Sequence, residues 1–131
     1  MHLLSTEPLS LSELQEILQG PVQLSQSARN QIEACRLYLD HKLSHHSDAI
    51  YGINTGFGSL CQIRISDSDI ELLQENLVRS HACGLGEEVP VSIVRLMLLL
   101  KIRNFIYGHS GVSLALTEQL LMYYNHAVYP V

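Results

Sequence analysis

The chain has 131 residues, enough for one domain or for a piece of a larger one. Its formal charge of −5, with only 8 Lys and Arg and no basic cluster, argues against nucleic acid as a partner. Apolar residues make up 47% of the chain and charged residues only 16%, against roughly 25% in a typical globular protein, so the surplus apolar surface calls for more chain or another subunit to cover it.

Met1 to Glu7 hold neither the basic stretch nor the apolar run that opens a secretory signal. Ser10-Leu11-Ser12-Glu13 has the form of a capping box and predicts a short helix that stops at Gly20-Pro21. Ser25 or Ser27 then opens a longer helix whose apolar stripe is Ala28, Ile32, Cys35, Leu39 and Leu43, ending in the polar run from Ser44 to Asp48. Ala49-Ile50-Tyr51 is too short for more than a strand stub. Ser66 to Asp69 start the next helix, with Ile70, Leu73, Leu77 and His81 along one stripe, and Gly84 and Gly86 end it. Pro90 opens a helix from about Val91 to Tyr107 that is apolar on nearly every side; Arg95, Lys101 and Arg103 exclude a membrane span, which leaves a buried helix. Gly108 to Gly111 break the chain, and a last helix runs from about Val112 to His126 with Val112, Leu116, Leu120 and Tyr123 on one face. The fold class is all-α, with little or no strand. The chain ends on the apolar run Ala127 to Val131, just past a proline that ought to begin a new segment, which reads as a truncation.

Cys35, Cys61 and Cys83 are odd in number and far apart, with no CxxC pair, as expected of thiols in a reducing cytoplasm. His41, His45 and His46, near Asp40 and Asp48, lack a metal-binding pattern and read as a solvated helix end, so no metal is expected. His109 reads as a turn residue. The segment Tyr51-Gly52-Ile53-Asn54-Thr55-Gly56-Phe57-Gly58 stands out: three glycines and a phenol in one loop that bends sharply, moves or lies close to something. It is no phosphate cradle, because Gly58 leads into Ser59-Leu60-Cys61 without the lysine a P-loop needs. Read alone, the loop is an ordinary bend, and His81 is a helix-end histidine whose cation the helix dipole favours.

Together they say more. Tyr51 to Gly58 resembles the signature loop of the aromatic amino acid ammonia-lyases, and Asn76-Leu77-Val78-Arg79-Ser80-His81-Ala82-Cys83-Gly84-Leu85-Gly86 resembles the second block of the same enzymes, the histidine ammonia-lyase branch above all. Arg95 to Asn104, Gly108 to Gly111 and Asn125 to Pro130 continue the match in order, so that it runs from about Leu9 to the last residue. The resemblance implies elimination of ammonia from an aromatic amino acid, on a methylidene-imidazolone (MIO) electrophile that forms from an internal Ala-Ser-Gly. Tyr51 matches the base that removes the β-proton. A phenol ordinarily titrates near about 10, so such a base needs neighbours that stabilise its ionised form. His81 matches the residue that faces the substrate side chain, which favours histidine or tyrosine over phenylalanine as substrate. Gly52, Asn54, Thr55, Gly56, Phe57 and Gly58 form the loop.

No Ala-Ser-Gly occurs in the 131 residues. The resemblance therefore implies an N-terminal portion: residues 1–111 as a helical domain carrying Tyr51 and His81, and 112–131 as the start of a long-helix core. The full-length protein is expected to be a homotetramer. The 131 residues alone are expected to be inactive, to self-associate through exposed apolar helices, and to leave the Tyr51 loop poorly ordered. The rival readings are a tyrosine or phenylalanine ammonia-lyase or aminomutase of the same family, and a stand-alone helical interaction module using Ile93 to Ile106.

Overall fold

The computed structural model describes residues 1–45 and 48–129. His46, Pro130 and Val131, on which parts of the sequence reading fall, lie outside them. Among the described residues, five α-helices and one two-stranded parallel sheet follow in the order β1 (His2–Leu4), α1 (Leu11–Ile17), β2 (Val22–Leu24), α2 (Gln26–His45), α3 (Ile70–His81), α4 (Val91–Ile106) and α5 (Leu114–Asn125). The chain divides into two compact units, one made of Met1–Leu43 with the chain from Glu88 onward, the other of Ser44–Glu87. None of the helices among the described residues is long and apolar enough to cross a membrane.

The larger unit is built on a β-α-β turn of chain. The capping box forms as expected: Ser10 Oγ accepts the Glu13 backbone N–H at 3.2 Å, and Glu13 Oε2 accepts the Ser10 N–H at 2.8 Å. The Ser10 hydroxyl also donates to Glu13 Oε2 at 2.6 Å, and that bond first, with the Ser10 N–H second, holds the Glu13 carboxyl below the usual carboxylate range. Strand β1 pairs with β2 in register, His2 with Val22 and Leu4 with Leu24. Leu4, Val22 and Leu24 turn into the core while Leu3 and Gln23 face out, the period-two alternation of a half-buried strand. Both peptide polar groups of Val22 are met by one side chain: the Asn125 amide accepts its N–H and donates to its carbonyl, each at 2.9 Å.

Ala28 and Ile32 of α2, Leu98, Leu99, Ile102 and Ile106 of α4, and Tyr124 of α5 complete the core with Ile17 and the strand residues. Burying each large aliphatic side chain contributes about 1.5–3 kcal/mol. Two details correct the sequence reading. Helix α4 is not buried all round: Ile93, Met97 and Leu100 stay about half exposed, because no described element of this unit lies over that side. The buried face of α5 is carried by Thr117 and Tyr124 rather than by Leu116 and Tyr123, since Ser113 caps the helix and the Tyr124 hydroxyl reaches the Ile17 carbonyl at 3.1 Å.

Two arginines of α4 tie distant segments together. Arg103 donates to the Glu7 carbonyl at 2.8 Å and to the Tyr107 hydroxyl at 3.0 Å, fixing the link between β1 and α1. Arg95 donates to the Leu18 and Gly20 carbonyls beyond α1, to the Tyr124 carbonyl and to the Tyr129 hydroxyl, and its guanidinium lies 4.1 Å from the centre of the Tyr124 ring. Burial works against the Arg95 charge, but the bond with Tyr129 and the two phenols outweigh it, so its pKa rises.

Candidate functional site

The smaller unit holds both residues singled out in the sequence, Tyr51 and His81. Its organising side chain is Asn54, 4% exposed. Asn54 Oδ1 accepts the Ile50 N–H at 2.7 Å, its Nδ2 donates to the Asp48 carbonyl at 3.0 Å, and its own carbonyl accepts the Ile65 N–H at 2.9 Å. A buried amide with donors and acceptors engaged in this way holds a turn firmly, because breaking one bond leaves a desolvated polar group. Thr55 is buried as well and forms an isolated antiparallel bridge with Arg64, and the Gly56 N–H reaches the Ile63 carbonyl at 3.0 Å. The loop base is thus bonded within its own unit, which removes the reason for expecting poor order there: the surfaces that clamp it lie in this chain.

Two of the loop glycines, Gly52 and Gly58, adopt left-handed φ values of 77° and 57°, which side chains other than glycine resist. Gly56 is required by closeness instead: a Cβ there would sit 2.6 Å from Leu60 Cβ and 2.9 Å from the Leu60 carbonyl oxygen. Gly56→Ala should therefore cost the loop about 1–3 kcal/mol, as over-packing does elsewhere. Limited proteolysis between Tyr51 and Ile65 is the check: faster cleavage is expected, and an unchanged rate would show that the loop tolerates the added methyl.

Tyr51 heads this loop at 63% exposure. Its ring meets Phe57 edge to face, with centroids 6.2 Å apart, and among the described residues its hydroxyl makes no hydrogen bond. His81 ends α3, where Ile70, Leu73 and Leu77 are half-buried and no residue is fully buried. Its Nδ1 lies 2.9 Å from the Leu77 carbonyl and 3.0 Å from Ser80 Oγ. The sequence reading missed the bonds of Ser80 and the part of Asn54 as the spine of the loop. His45 bonds Ser44 at 2.9 Å, and among the described residues no three His, Cys, Asp or Glu side chains cluster as a metal site.

The aromatic amino acid lyase family pattern matches residues 9–131. This chain belongs to the aromatic amino acid lyases. A histidine ammonia-lyase of Salmonella arizonae is 42% identical over all of this chain and 26% of its own length. The crystal structure of histidine ammonia-lyase from Trypanosoma cruzi is 32% identical, with a TM-score of 0.77 over 94% of this chain and 24% of that one. Phenylalanine aminomutase of Pantoea agglomerans is 26% identical, with a TM-score of 0.90 over 99% of this chain and 26% of that one. The chain spans about a quarter of the length of the curated relatives it matches. As a lyase-family portion it is mostly helical, with a two-stranded sheet of three residues a strand, as the all-α reading with little or no strand expected.

Proposed function

We propose that this chain is the N-terminal portion of an ammonia-lyase that eliminates ammonia from L-histidine to give trans-urocanate, the first step of histidine degradation. The observation that supports it most is the match over residues 9–131 together with relatives that are histidine ammonia-lyases at 35–42% identity. In this reading Tyr51 removes the β-proton of the substrate. Its exposed side chain suits that task, because a base must reach the proton it takes. His81 hydrogen-bonds the substrate side chain and sets specificity. Asn54, Thr55 and Gly56 hold the turn that aims Tyr51, with Gly52, Phe57 and Gly58 shaping its rim.

The MIO group of the family supplies the electrophile that turns the substrate amine into a better leaving group. It forms from Ala-Ser-Gly, absent from these 131 residues, so this chain contributes none of its atoms. The full-length protein in this reading is a cytoplasmic homotetramer, with residues 112–131 opening its helical core. The exposed Ile93, Met97 and Leu100 of α4 and Leu72, Val78 and Leu85 of the smaller unit favour self-association of the 131 residues alone. The test is absorbance of urocanate on mixing with L-histidine: the full-length protein should turn over and the 131-residue chain should not. Turnover by the 131 residues above contamination would overturn their predicted inactivity, and a full-length protein that acts only on tyrosine or phenylalanine would move the assignment to another branch.

A further inference from the structure

The geometry around His81 points to a fixed imidazole tautomer, and we infer that Ser80 is a positioning residue that turns His81 into a hydrogen-bond acceptor for the substrate side chain. The Ser80 hydroxyl donates to the Leu77 carbonyl at 3.0 Å. The same carbonyl lies 2.9 Å from His81 Nδ1, which is also 3.0 Å from Ser80 Oγ. A carbonyl oxygen only accepts, so Nδ1 carries the proton; in the opposite tautomer two lone pairs would face each other across that distance. With its own proton on Leu77, the Ser80 oxygen turns a lone pair to Nδ1–H and supports the same arrangement. One ring nitrogen's bond decides what the other offers, and Nε2 of the neutral ring is left as an acceptor.

The inference rests on the proposal that His81 faces the substrate, and it names what that substrate must bring: a ring donor, such as an imidazole N–H or a phenol O–H. A plain phenyl ring has none. Ser80 acts through His81 and touches no reacting atom.

Nitrogen NMR of the 131-residue chain, under alkaline conditions that leave the imidazole neutral, reads the tautomer directly. His81 is expected to carry its proton on Nδ1, against the preference of a free histidine side chain for Nε2. Ser80→Ala should shift the tautomer ratio about three- to tenfold toward Nε2–H, the worth of one ordinary hydrogen bond, and Ser80→Thr should restore it. A proton on Nε2 in the unmodified chain, or a ratio indifferent to Ser80→Ala, overturns the inference. In the full-length protein kcat/KM for L-histidine should fall by a similar factor in Ser80→Ala and recover in Ser80→Thr. An unchanged kcat/KM alongside a shifted tautomer overturns the link to recognition. Failure of the proposed function looks different: the full-length protein would then not turn over L-histidine at all, while the tautomer of the 131-residue chain would still answer to Ser80.

Discussion

Tyr51→Phe in the full-length protein is expected to lower kcat for ammonia release from L-histidine by about 10²–10⁴-fold, the usual contribution of a positioned base. The substitution is a clean one. The Tyr51 hydroxyl makes no hydrogen bond among the described residues, and its ring keeps the edge-to-face contact with Phe57 when only the oxygen is removed. Thermal unfolding should therefore stay where it is, within the small range of a surface change. Urocanate absorbance and a melting curve on the same preparation separate chemistry from folding. A near-normal rate would remove Tyr51 from the reaction; a lost rate accompanied by a lower Tm would mean that the hydroxyl supports the loop in a way the geometry does not show.

Arg95→Met should have the largest effect on stability. Arg95 makes four hydrogen bonds, to Leu18, Gly20, Tyr124 and Tyr129, and stacks on the Tyr124 ring. Methionine keeps much of the stem's apolar volume but satisfies none of those acceptors, and stranding partly buried carbonyls is costly. A loss of about 2–4 kcal/mol is expected, a fall in Tm of roughly 10 °C for a chain of this size. Arg95→Lys should recover less than half of it, because an ammonium cannot span carbonyls that the planar fork reaches together. Thermal denaturation of the 131-residue chain followed by circular dichroism is the measurement. A Tm within a degree or two of the parent would mean that the carbonyls find water at no cost.

Helix starts were legible in the sequence because their causes are local. Ser10 and Glu13 close the capping box, Ser25 Oγ accepts the Ala28 N–H at the head of α2, and α4 begins right after Pro90. The strands were not legible. Three residues are too few to display alternation, and β1 finds its partner twenty residues along the chain only after α1 has folded back. Periodicity placed an apolar stripe on α5, but Tyr124 and Thr117 are polar as well as bulky, and only the Ile17 carbonyl at the end of another helix explains why the tyrosine goes inside. Arg95 was read as a reason against a membrane span; its partners lie 29 to 77 residues away, where no spacing rule reaches. At the site, Tyr51 and His81 were visible through the family motif. The Asn54 bonds and the Ser80–Leu77 contact depend on backbone geometry that residue types alone do not give.

The chain leaves the larger unit after Leu43 and returns to it at Glu88, and among the described residues no core side chain of that unit comes from between. The loop with Tyr51 and the helix with His81 thus belong to one excursion of the chain, begun after Leu43 and ended at Glu88. Chimaeras between relatives have natural crossover points at the two places where the chain leaves the larger unit and rejoins it.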